Sequence, residues 1–204
     1  MKKIMSILIV LLILLQTLVT AQGIKWRENE SLFRAGFRIG MNFPFTRGFS
    51  DDWTSTRIFS PDFGGYFRVG EIVFGEAGIG YTFQKNRFAV DLGSGAYDQF
   101  DEVVEMRFLQ IPIRAVGEFR IKKIFSLQPA LGFIYQPLLQ VSDNLIGFSK
   151  NNLTNHYFIL TAGLGFAIYF FTFELSFRQF LQNWMPESRM KKPSYLHFAL
   201  GFQI

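Results

Sequence analysis

Six charged side chains are the first candidates for chemistry in this 204-residue chain. Arg38, Arg114 and Arg178 and the carboxylates Glu76, Glu118 and Glu174 each lie in a run of alternating residues, on the parity that also carries glycines and amides. Gathered in one enclosed space, they could neutralise one another as a salt-bridge plug, because arginine's forked donors match carboxylates. The same groups could instead line a selective ion path or a gate. Their formal charges cancel, which favours the plug.

Other constellations carry less. Asp98, Asp101, Glu102 and Glu105 form an acidic patch beside Gly93, Ser94 and Gly95. A calcium site needs six to eight oxygens in a set order, and no calcium-loop motif is present, so a solvated loop without metal is expected. The pairs Gly78/Gly80 and Gly163/Gly165 fail as a dinucleotide loop: neither opens a helix, and Ile168 occupies the third glycine position after Gly163. No cysteine is present, which excludes disulfides, thiolate zinc sites, thiol catalysis and a lipidated cysteine anchor. The formal charge of +5 includes Lys2 and Lys3 of the leader described next, and what remains is too small to indicate nucleic acid.

The first 21 residues read as a secretory signal peptide. Lys2 and Lys3 precede a short apolar run, Ile4 to Leu15, with Val19 and Ala21 at the −3 and −1 positions of a cleavage site before Gln22. The run is shorter than the ~20 residues that a spanning helix needs. Residues 22–204 then form one domain.

That domain alternates with a period of two. Phe33, Ala35, Phe37, Ile39, Met41 and Phe43 oppose Arg34, Gly36, Arg38, Gly40 and Asn42. Seven more segments repeat the pattern, beginning near Phe63, Val73, Leu109, Phe125, Tyr157, Thr172 and Leu196. Short links are expected at Gly70–Glu71, Lys122–Lys123 and Phe170–Phe171, and long polar ones at 46–57, 86–103, 142–155 and 183–193. Alternate tight turns and long loops make an up-and-down antiparallel meander.

Which side faces out decides the class. Phe contributes 26 residues, and the bulky parity could not enter the interior of an eight-stranded barrel, which side chains just fill. The glycine-and-charge parity could. An outward band of Phe, Leu and Ile is tolerable only in lipid, and barrel closure satisfies the backbone there. The fold expected is all-β: an eight-stranded up-and-down transmembrane β-barrel. In it Arg34, Arg68, Arg120, Lys122 and Lys123 gather as a solvated rim at the short-turn end. His156 and His197 lie near the opposite rim. Trp53, Trp184, Tyr81 and Tyr135 suit an aromatic girdle.

The pieces Phe33–Asn42 (FRAGFRIGMN), Phe108–Glu118 (FLQIPIRAVGE), Gln128–Tyr135 (QPALGFIY), Ala162–Phe177 and Leu196–Ile204 (LHFALGFQI) make the chain resemble the PorT-like outer-membrane β-barrels of Bacteroidota, among the OmpA-OmpX-like eight-stranded barrels. The resemblance implies the outer membrane of a Gram-negative cell, periplasmic termini and insertion by the outer-membrane assembly machinery. Family barrels usually end in an aromatic residue; this chain ends in Ile204, with Phe202 two before it. Lipid A deacylase barrels carry a serine two residues after the histidine. Here Ala199 and Phe158 stand in those places, so acyl transfer lacks its nucleophile. No catalytic residue and no cofactor are expected.

The role expected is structural or loop-mediated binding. A narrow channel, a secretion-system accessory and a lipid A-modifying enzyme are the alternatives. Lipopolysaccharide, whose phosphates Arg189, Lys191 and Lys192 could meet, and other envelope proteins are the expected partners.

Overall fold

The computed structural model describes residues 32–44, 53–57, 60–90, 100–122, 124–145, 147–151, 153–183 and 192–204. The leader, the boundary at residue 22, Asp98, Trp184, Arg189 and Lys191 lie outside them.

The described residues form ten strands: β1 (Phe33–Pro44), β2 (Trp53–Arg57), β3 (Ser60–Gly70), β4 (Val73–Val90), β5 (Phe100–Gly117), β6 (Phe119–Lys122), β7 (Phe125–Val141), β8 (His156–Ile168), β9 (Phe171–Phe180) and β10 (Ser194–Gln203). They make eight staves. β2 continues the line of β3 along β4, and β6 continues β5 along β7. Every pairing is antiparallel, and β1 closes the ring by pairing with both β3 and β10, with Phe37 opposite Gly65 on one side and Phe202 on the other. Among the described residues closure leaves no sheet edge around the apolar belt, as a hydrocarbon surround requires. Among the described residues no helix is long and apolar enough to cross a membrane.

The parity assignment is realised in full on β8. Phe158, Leu160, Leu164, Phe166 and Ile168 point outward, while Tyr157, Ile159, Thr161 and Ala167 are buried. Around the wall, Phe37, Ile113, Leu131, Phe133, Leu175 and Leu200 are likewise exposed. This apolar belt is what acyl chains accept and water does not. Phe63, Tyr81 and Phe83 form one ring cluster at its loop-side margin, and Tyr135 stacks between His156 and Phe158. At the short-turn margin, Phe170, Phe171 and Phe202 cluster.

The structure departs from the sequence reading in three places. The link expected at 86–103 is strand at both ends, since β4 runs to Val90 and β5 begins at Phe100. Asp101, Glu102 and Glu105 of the acidic patch therefore belong to a ladder, and Trp53 lies in β2 rather than in a loop. The third difference is the last tight turn, which falls at Tyr169–Phe170 because Ile168 pairs with Phe171. Tyr169 takes the left-handed φ of 55° there, at the first turn position usually given to glycine.

Polarity inverts along the extended strands. Below Leu109 the outer side of β5 is apolar, but above it Glu105 and Arg107 face outward, and Glu105 is met by Arg107 at 3.0 Å and by Lys85 at 3.6 Å. The inward residues Val104, Met106 and Phe108 are fully buried there with Ile134, Leu138, Leu153, Tyr157 and Phe180. Once the staves leave lipid for water, the apolar side must turn in. The strands thus project beyond the belt as a short water-facing barrel with its own core.

Candidate functional site: an ion-paired lumen

Inward side chains fill the barrel in tiers. At the short-turn end Arg34 is buried and donates to Glu118 across the mouth. A mid-lumen tier follows. Arg68, Glu76 and Arg114 are direct neighbours across β3, β4 and β5, so Glu76 accepts from Arg68 Nε and from Arg114 Nε, each at 2.8 Å. Arg38 approaches the same carboxylate at 3.2 Å from β1. Glu174, from β9, accepts from Arg114 at 2.6 Å and lies 3.6 Å from Arg38. The Tyr66 ring is held between the Arg38 and Arg68 guanidiniums at 4.4 and 5.0 Å, a cation–π arrangement in a desolvated setting. Gly36 makes this possible, because a Cβ there would meet the Tyr66 ring and hydroxyl.

A second polar tier lies toward the loops. Arg178 donates to Asp62 at 2.8 Å and to Asn42 at 3.0 Å. His197 is fully buried: its Nε2 lies 3.2 Å from Asp62 and 3.1 Å from Arg178, and its Nδ1 lies 3.1 Å from Ser176 Oγ. Gly40 leaves room for the ring, since a Cβ there would strike it. Above this, Gln84 bonds the Tyr195 hydroxyl, and the apolar core of the projecting barrel closes the far end.

Of the six lumen residues expected from sequence, Arg38, Glu76, Arg114 and Glu174 meet in one network. Glu118 pairs with Arg34 instead, and Arg178 with Asp62. The basic rim needs correction, because Arg34 and Arg68 are buried lumen residues rather than solvated ones; Arg120 is half-buried at the mouth. His197 is likewise not a rim residue. Its cross-strand partners are Asn42 and Ser176, both inward, and only His156 stays exposed near the rim. Sequence reasoning missed Asp62, although it shares the inward parity with Tyr66 and Arg68.

Ser176, His197 and Asp62 contain the members of a nucleophile–base–carboxylate set. Ser176 is only 2% exposed, however, with the ion network on one side and the apolar tier on the other. Among the described residues no group of three or more histidines or carboxylates is arranged to hold a metal.

No family model matches the sequence, and no curated protein does. Solved structures similar in outline include several outer-membrane proteins. The outer membrane protein OprG from Pseudomonas aeruginosa shares 11% identity at a TM-score of 0.47, over 84% of this chain and 95% of its own. The N-terminal β-barrel domain of OprF from the same organism gives 12% and 0.43, over 84% and 97%. Outer Membrane Protein W of E. coli gives 13% and 0.40, over 86% and 100%.

Proposed function

We propose that this chain is an outer-membrane β-barrel, of the PorT-like kind within that class, with a structural or loop-mediated binding role. Its lumen is closed by the arginine–carboxylate network, and it is neither a channel nor an enzyme. The observation that carries this reading is the pairing of an apolar outer belt with an interior crossed by successive tiers of ion-paired side chains. A belt of exposed Phe, Leu and Ile has a favourable surround only in lipid, and eight-stranded bores hold side chains rather than a water column. The short turns and both described chain ends lie at one mouth, as in barrels whose termini are periplasmic. At the other mouth the projecting staves present a charged exterior to water, and this is the surface offered to lipopolysaccharide or envelope proteins.

The test is planar-bilayer recording. The purified barrel is expected to insert and give no stable open level, whereas long, uniform single-channel currents would remove the plug reading. A second expectation concerns Ser176. A fluorophosphonate serine probe is expected to leave the folded barrel unlabelled, and labelling at Ser176 would reopen acyl-transfer chemistry.

A further inference from the structure

We infer that the lumen holds one small monovalent anion, of chloride or bromide size, in the cavity between Arg38, Arg114 and Arg178. Three independent features converge on it. The first is charge. Between the mouth pair Arg34–Glu118 and the apolar cap, the described interior contains four guanidiniums, Arg38, Arg68, Arg114 and Arg178, against three carboxylates, Asp62, Glu76 and Glu174. With His197 neutral, one positive charge is left over in a region walled by protein and surrounded by apolar residues, where an uncompensated charge is costly.

The second feature is space. A cavity of about 30 Å³ lies between the two ionic tiers, bounded by Arg38, Arg114 and Arg178 with Asp62, Gln110 and Gly80 among its other walls. That volume exceeds what one water needs and stays within the scale of a single small ion. The third is the kind of hydrogen-bonding capacity left unused. Of the residues around this cavity, Arg178 Nε, the Tyr66 hydroxyl and Arg114 Nη2, the last in ion contact with Glu76, are buried without a hydrogen-bond partner. All three can donate, and an arginine nitrogen can do nothing else. A void rimmed by unused donors and surplus positive charge selects an anion over a cation. Its size admits a halide and excludes a phosphate ester or a carboxylated metabolite.

The site belongs to the folded barrel itself and does not depend on whether the protein conducts or on which partner its loops meet. Its test is to refold the full-length mature chain from urea in sodium bromide or in sodium gluconate at equal ionic strength, and to crystallise the bromide form. Anomalous scattering is expected to place one bromide within hydrogen-bond distance of Arg178 Nε and the Tyr66 hydroxyl. Thermal unfolding is expected at higher temperature in bromide than in gluconate, with a saturable dependence. Tyr66→Phe keeps the ring between its two arginines and removes one donor, and is expected to weaken the bromide dependence about tenfold. A cavity holding only water, or equal unfolding temperatures in the two salts, would overturn the assignment. So would a Tyr66→Phe barrel with unchanged bromide dependence.

Discussion

Replacing Glu76 by alanine is expected to cost the folded barrel about 3–5 kcal/mol, the range for breaking a buried ion pair from one side. Glu76 is 1% exposed and is the carboxylate that Arg38, Arg68 and Arg114 share. Its loss leaves three guanidiniums close together, with Glu174 able to reach only Arg38 and Arg114. Arg114→Ala is expected to destabilise less, because both its carboxylates retain Arg38. Glu76→Gln preserves shape and one acceptor, and should fall between wild type and Glu76→Ala. Urea titration of barrels folded into vesicles, read by the electrophoretic shift between folded and unfolded forms, measures all three. A loss below about 1 kcal/mol for Glu76→Ala would be the behaviour of a solvated pair, and the tier would then be open to water.

This network was half legible in the sequence, and the reason is geometric. Parity follows from the pleat, so Arg38, Glu76, Arg114 and Glu174 could be assigned to one side from alternation alone. Depth does not follow from parity. It depends on the stagger between staves, which brings Arg34 to Glu118 across 84 positions and sets Arg178 of β9 at the level of Asp62 on β3. Arg34 and Arg68 read as a rim because each lies close to a strand end. The carboxylate that holds Arg34 sits on a distant strand. The one that holds Arg68, Glu76, lies directly opposite on the next strand, where parity alone does not reveal the pairing. His197 shows the same limit. Its inward parity was readable, but its place beside Ser176 and Asp62 is fixed by the registers of β10 with β9 and β1. The eight staves themselves were legible because lipid and lumen demand opposite polarity over their whole length. Where the staves leave the belt that rule reverses. Asp101, Glu102 and Glu105 then resembled a loop, although Val104, Met106 and Phe108 between and after them keep the period of two.

The inversion can be tested at two depths on one strand. Ile113 and Val103 are both outward on β5, at 64% and 47% exposure, so packing changes little at either position. Ile113 lies mid-belt, between Ala77 and Phe133 of the neighbouring staves. Ile113→Arg is expected to destabilise the membrane-folded barrel by about 2–4 kcal/mol, the cost of a guanidinium near the bilayer centre. Val103 lies beyond the charged pair Glu105–Arg107, opposite Arg87, and Val103→Arg is expected to cost about 0–1 kcal/mol, as at or above the interface. Denaturant titration in vesicles of fixed thickness gives both values. Equal costs would mean that no solvent boundary crosses β5, and a larger cost at Val103 would invert the orientation. The contrast is worth more than either number, because strand propensity and added charge are the same in both variants. The neighbours differ too, since Val103→Arg meets Arg87 across the ladder. That like charge can only raise the cost at Val103, so a smaller cost there than at Ile113 reports the medium outside the wall, on which the placement of this barrel in lipid depends.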